Sequence, residues 1–174
     1  AVALLGAGAM CGCATSQKAE RPEPPTLRGW DEFRQASEDE RIWMGGQPSQ
    51  EALDRFAAES NGRGLVLNLR TDEEMAFLPY YERSVVSHGL DFVHIPSKGS
   101  ELDQPEVEAY AQVRAEHDGP VLLHCRSGGR ASYIWVMDKM RAEGWSADEA
   151  SAWLAAYYKK PVGERGTALL TRYE

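Results

Sequence analysis

One stretch of the chain concentrates residues that do chemistry: His124-Cys125-Arg126-Ser127-Gly128-Gly129-Arg130. Its consecutive glycines permit backbone torsions closed to other residues. Successive N–H groups can then turn inward and make a nest for an anion. Arg130, at the end of the loop, can grip two oxygens of a tetrahedral anion with its planar fork. The same features stabilise a thiolate, the nucleophilic form of cysteine. Cys125 and Arg130 are therefore the candidate catalytic pair. The amides of Arg126, Ser127, Gly128 and Gly129 are candidate substrate-binding groups. His124 and Ser132 read as loop-shaping residues, and hydrogen bonding suits His124 better than a role as base. A buried Cys before a glycine turn would explain the glycines, but not two arginines packed into the same turn.

The order of elements around Cys125 gives it a position. Residues 121–124 are the most apolar run and read as a buried strand. Residues 131–143 read as a helix with Ile134, Trp135, Met137 and Met140 on its core side. Its positive end adds to the field of the loop. Further strands are predicted at 41–46, 65–69 and 91–95. Further helices are predicted at 31–37, 49–59, 72–87, 103–117 and 146–158, and Pro79 must bend or interrupt the third of these. Asp103-Gln104-Pro105-Glu106 and Ser146-Ala147-Asp148-Glu149 both read as capping boxes. Strands alternate with helices, so the fold class is α/β, with a mainly parallel central sheet flanked by helices. In such sheets ligands sit beyond the carboxyl ends of the strands, which is where Cys125 falls.

The 174 residues suffice for one domain with its own core. A net charge of −8 lacks the broad basic field that nucleic acid requires, so no nucleic-acid partner is expected. Any anion site must gather its positive charge locally. Residues 1–10 are small or apolar and uncharged. They are too few to span a bilayer as a lone helix and resemble the hydrophobic part of an export signal. Met10-Cys11-Gly12-Cys13 resembles a bacterial lipoprotein processing box, with Cys13 the favoured lipidation site and Cys11 the second. A cleaved signal is the alternative. The leader lacks an initiating Met and a basic start, and so reads as truncated. Either reading implies export to the periplasmic face of a bacterial membrane, with membrane contact only through an N-terminal lipid anchor. The expected organisation is a leader at 1–13, a polar tether at 14–28, a globular domain at 29–162 and an irregular tail at 163–174. Two of the three cysteines lie in the leader, which leaves Cys125 no internal disulfide partner.

The Cys125 loop resembles the active loop of cysteine-based phosphatases and rhodaneses. Gly46-Gln47-Pro48-Ser49, Leu67-Asn68-Leu69-Arg70 with Glu73 and Glu74, and Val93-His94-Ile95-Pro96 are similar to recurring segments of one branch. That branch is the bacterial beta-lactamase-hydrolase-like, phosphatase-like family, within the dual-specificity and tyrosine phosphatase-like superfamily. The likeness runs from Arg41 to Tyr157 and implies a cysteine phosphatase-like fold. It also implies hydrolysis of phosphate monoesters, phosphotyrosine among them, through a phosphocysteine on Cys125. Arg130 and the loop amides would hold the equatorial oxygens as charge develops. No cofactor and no metal is implied, and His88, His94, His117 and His124 show no ligand spacing. Two departures stand out. The interval from Cys125 to Arg130 is one residue shorter than in tyrosine phosphatases and matches rhodaneses. Ala131 occupies the place where phosphatases carry Ser or Thr.

The same resemblance implies an acid that protonates the leaving oxygen, in the loop after strand 91–95. That loop offers Glu101 and Asp103. Asp103 is the candidate, with a plain helix N-cap as its competing role. Asp72 and Glu73 are alternatives that would otherwise serve as first-turn acids. Arg70 can reach the site, or pair with Glu73 or Glu74. Three functions follow in order of preference. The first is a phosphatase-type hydrolase, which rests on the likeness of the whole domain. The second is a rhodanese-like sulfurtransferase carrying a Cys125 persulfide, which rests on loop length. The third is a non-catalytic anion-binding module. The partner in each case is anionic, a phosphate ester or a sulfane sulfur donor. Tyr157-Tyr158-Lys159-Lys160, Trp145 and Trp153 read as helix packing and a basic helix end.

Overall fold

Residues 65–68 and 121–124 are buried without exception, as strands covered on both faces must be. In the computed structural model, which describes residues 26–38 and 40–174, these runs are β3 (Leu65–Asn68) and β5 (Val121–His124). They lie side by side in a five-stranded sheet. β2 (Ile42–Gly45) flanks β5, β4 (Asp91–His94) flanks β3, and the short β1 (Arg34–Gln35) forms the edge beside β2. Only the β1–β2 pair is antiparallel. The register sets Gly45, His124, Asn68 and His94 in one row across the carboxyl edge. The chain leaves all four parallel strands there, which brings segments 46–48, 69–71, 95–102 and 125–128 to one place.

Alternation along the strands divides the core into two layers. Val66 and Leu122 pack with Leu53 and Phe56 of α1 (Gln50–Glu59) and Val85 of α3 (Tyr81–Ser87). Leu65, Leu67, Val121 and Leu123 belong to the opposite layer. Its helices are α4 (Gln104–Glu116), α5 (Gly129–Glu143) and α6 (Ala147–Tyr158), which contribute Val107, Tyr110, Ile134, Trp135 and Leu154. Each such side chain, once buried, stabilises the fold by about 2 kcal/mol. Polar caps fix the helix starts. Ser49 accepts from the Ala52 N–H, Ser146 and Glu149 form a capping box, and so do Asp103 and Glu106. Thr71 and Glu74 form another at the short α2 (Asp72–Met75).

The helix expected over 31–37 is instead a 3₁₀ turn, Trp30–Glu32, followed by β1. Trp30 packs against Phe33, Trp43 and Phe56, and this tertiary packing outweighs local helical preference. The helix expected over 72–87 is broken into α2 and α3, with Pro79, which has no N–H for the ladder, in the gap. The tail at 163–174 is not irregular. It forms α7 (Glu164–Tyr173), whose Leu169 and Leu170 join the larger core layer. Arg28 is part of the fold rather than of a tether: its N–H donates to the Gln47 carbonyl (2.7 Å) and its carbonyl accepts from Ser49 (2.9 Å). The leader with Cys11 and Cys13, and the lipidation expected there, lie outside the described residues. Among the described residues no helix is long and apolar enough to cross a membrane.

Candidate active site

β5 ends at His124 and α5 begins at Gly129, so the turn between them is short and must be tight. Gly128 makes it with a φ of 97°, in the left-handed region that favours glycine. Its N–H then donates to Cys125 Sγ at 3.1 Å. One loop amide is thus turned inward onto the thiol, at the positive end of a long helix. The segment after β2 clamps the loop from the side. Cys125 N–H donates to the Gly45 carbonyl, and Gln47 N–H to the Arg126 carbonyl, both at 3.3 Å. A side chain at Gly46 would press on the Arg126 carbonyl, 3.1 Å from a Cβ there. The Gly-Gln-Pro segment is therefore part of the loop's frame.

His124 is fully buried. Burial drives its imidazole down to about 3, against a smaller opposing pull from its bond to the Cys125 backbone. The ring is neutral. It bonds Tyr81 Oη through Nε2 (2.9 Å) and the Cys125 carbonyl through Nδ1 (3.3 Å). Burial pushes the Tyr81 phenol up, so its hydroxyl stays protonated and donates to Nε2, while Nδ1–H donates to the carbonyl. His124 thus holds the Cys125 backbone in place. Ser132 Oγ donates to the Gly129 carbonyl (2.9 Å) and meets Tyr158 Oη at 2.6 Å. Its partners are the loop backbone and α6.

Arg130 is oriented from behind. Nη1 donates to the carbonyls of Leu69 (3.0 Å) and Ser97 (2.8 Å), and Nη2 to the Glu74 carboxylate (2.9 Å). Nη2 lies within reach of both Glu74 oxygens, at 2.7 and 2.9 Å, and Nε–H makes none of these bonds. Burial raises Glu74, but its bonds with the Thr71 backbone and Arg130 outweigh that and hold the carboxyl below its usual range. Glu74 is therefore the ionised anchor of Arg130. Arg70 stands beside them, 2% exposed, with Nη2 donating to the Glu74 backbone carbonyl at 3.1 Å. The sequence offered Glu74 only as a partner for Arg70. Its carboxylate belongs to Arg130, 56 positions away.

The expected general acid is not brought to the loop. Asp103 Oδ1 accepts from Gln104 N–H (2.9 Å) and caps α4. It lines a separate cleft with Met140, Arg141, Trp145 and Tyr173. The competing cap role is the one the structure gives it, because the capping geometry turns its carboxylate back onto its own helix. Asp72 is exposed, 3.9 Å from His94 Nδ1. Glu73 is exposed as well, and its backbone and Thr71 bonds lower its carboxyl. Glu101 pairs loosely with Lys98 at 3.7 Å. It lies on the loop whose Gly99 covers Arg130, a Cβ there standing 3.4 Å from Arg130 Cγ.

Gly129 and Arg130 also border a cleft of about 680 Å³, walled by Leu102, Tyr133 and, on α7, Arg165 and Arg172. This is within the size range of small-molecule sites. Reading the tail as irregular left that wall out of the expected site. Among the described residues no group of His, Cys, Asp and Glu side chains is arranged to hold a metal ion.

Against known proteins, residues 43–142 match the family model described as beta-lactamase hydrolase-like protein, phosphatase-like domain. A curated beta-lactamase hydrolase-like protein of Xylella fastidiosa is 28% identical over 116 residues, which is 65% of this chain and 26% of the relative. The chain thus spans about a quarter of the length of the curated relatives it matches. Among solved structures, a candidate phosphatase of Neisseria meningitidis superposes with a TM-score of 0.63 at 23% identity, covering 81% of this chain and 100% of that one. PTPMT1 in complex with PI(5)P superposes with a TM-score of 0.65 at 15% identity, covering 82% and 94%. At such identities these structures establish a shared cysteine phosphatase-like fold. The family match takes in β2 through most of α5, and so includes the Cys125 loop and both arginine-bearing segments: the chain belongs to the beta-lactamase hydrolase-like, phosphatase-like domain family.

Proposed function

We propose that this domain hydrolyses phosphate monoesters through a thiolate on Cys125. The observation that carries the reading is the Gly128 N–H aimed at Cys125 Sγ, at the start of α5, next to an Arg130 guanidinium anchored by Glu74. In the first step Sγ attacks phosphorus, the S–P bond forms and the P–O bond to the leaving group breaks. The remaining Arg130 donors and the amides of Arg126 to Gly129 receive the charge that builds on the equatorial oxygens. In the second step water attacks phosphorus, and inorganic phosphate and the thiolate are released. PTPMT1, of the same fold, has been captured with the phosphorylated ligand PI(5)P, which supports an anionic phosphate ester here.

The proton for the leaving oxygen falls to Glu101. It sits on the loop that passes over Arg130, and its carboxylate is not committed to a cap as that of Asp103 is. Glu101→Gln should reduce kcat for alkyl phosphates by about 10²-fold. It should reduce turnover of p-nitrophenyl phosphate far less, because p-nitrophenolate leaves readily without a proton. Equal losses on both substrates would remove Glu101 from this role.

The direct test is turnover of p-nitrophenyl phosphate under reducing conditions by residues 26–174 and by the Cys125→Ser variant. Activity that falls by about 10³-fold or more in the variant supports the thiolate mechanism. A parent without turnover, or a variant that keeps it, rejects it. The second reading, a sulfurtransferase, draws on the short interval between Cys125 and Arg130. Thiosulfate would then leave a persulfide on Cys125 and release sulfite, with no acid required.

A further inference from the structure

Arg70 is among the most deeply enclosed charged side chains of the domain, 2% exposed. Its backbone lies just past β3, where its N–H donates to Asn68 Oδ1 (3.0 Å) and its carbonyl bonds His94 Nε2 (2.6 Å). The guanidinium feels the charge of the Cys125 loop. One contact holds it, from Nη2 to the Glu74 backbone carbonyl. Nε and Nη1 are buried with no hydrogen-bond partner at all. Buried guanidinium nitrogens are almost always paired, since leaving them bare sacrifices their hydration for nothing. The charged groups around Arg70 are Glu74, Arg130, Arg126 and Cys125. The Glu74 carboxylate is already taken by Arg130, at 2.7 and 2.9 Å. Three guanidinium groups therefore share the field of one carboxylate and one thiol, in a chain whose overall charge is negative.

We propose that Arg70 is a substrate-binding residue, and that its bare Nε and Nη1 are completed by the oxygens of a dianionic phosphoryl group seated on the Cys125 loop. This inference rests on the phosphatase reading and adds a binding residue to it. A tetrahedral dianion offers acceptors to the Arg130 fork, the loop amides and Arg70 at once. A phosphodiester, with a single negative charge and one oxygen alkylated, leaves Arg70 short of a partner. The thiolate cannot do the same alone, because it is one charge and already accepts from Gly128.

The test is the affinity of inorganic phosphate, by calorimetry and by thermal shift, for the described domain and its Arg70→Met variant. Phosphate should raise the melting temperature of the parent. In Arg70→Met the dissociation constant should rise about 10- to 100-fold, as expected for loss of a hydrogen bond to a charged group. The phosphate-free variant should melt no lower than the parent. A merely structural arginine would give the reverse, a lower melting temperature with unchanged phosphate affinity, and that result would overturn the inference alone. A parent that neither binds phosphate nor hydrolyses p-nitrophenyl phosphate would overturn both this inference and the phosphatase reading. Should Arg70→Met not fold, Arg70→Gln, which keeps a donor for the Glu74 carbonyl, carries the same measurement. A weakened dissociation constant supports the inference and an unchanged one rejects it.

Discussion

His124 and Arg70 sit near one another at the carboxyl edge of adjacent strands, both buried and both polar. They are treated in opposite ways. His124 has both ring nitrogens bonded and is kept neutral by burial. Arg70 keeps its charge, as guanidinium groups do, and leaves two nitrogens bare. Satisfied buried polar groups rigidify a structure, whereas each unsatisfied one calls for an explanation. The backbone from Gly45 to Gln47 and at Cys125 and Arg126 is tied together by its own bonds. The guanidinium half is held in place by Glu74 but is not electrically complete. That division suits a catalyst whose nucleophile must be fixed and whose charge must be matched only when an anion enters.

The difference can be broken first at Glu74. Glu74→Gln removes the carboxylate that aims Arg130 while leaving the loop backbone intact. Activity on p-nitrophenyl phosphate should fall by about 10²-fold, as misplacement of an aligned group does, with little change in far-ultraviolet circular dichroism. Full activity would show that the carbonyls of Leu69 and Ser97 suffice to orient Arg130.

Acid sharpens the comparison from the other side. The His124 pKa is lowered on folding, from about 6.5 to about 3. Between those values the unfolded chain binds the proton and the folded chain does not, so stability falls as pH drops through that window. From pH 6.5 to pH 5 this one residue should cost on the order of 2 kcal/mol. Glu74, also lowered on folding, loses its contribution in the same direction at the acid end. Urea unfolding across this range reads the slope directly. A stability that stays level from pH 7 to 5 would mean that His124 is already protonated in the fold, contrary to its bonding with Tyr81.

Much of this was legible from the residues. Contiguous features read well: the buried runs 65–68 and 121–124, the glycine turn after Cys125, and the capping boxes at Ser146 and Asp103. Local chemistry dictates each of them. Long-range pairings did not read. Tyr81 reaches His124 across 43 positions, and Arg130 reaches Glu74 across 56. Nothing in either neighbourhood names its partner. α7 escaped because its start is Gly163, without a side-chain cap, and because its inner face rests chiefly on the single pair Leu169-Leu170. Asp103 shows the limit most clearly. One residue could cap a helix or donate a proton, and only the direction of its carboxylate, set by the fold, decides for the cap.

The central claim is that Cys125 carries the phosphoryl group in turnover. Rapid acid quench of the domain during p-nitrophenyl phosphate hydrolysis, followed by mass spectrometry of the Cys125 peptide, reads this directly. The account predicts one added phosphoryl group on Cys125, absent from the Cys125→Ser protein. Turnover that leaves Cys125 unmodified at every quench time, or a thiol that instead gains sulfur from thiosulfate and never phosphorus, would contradict it.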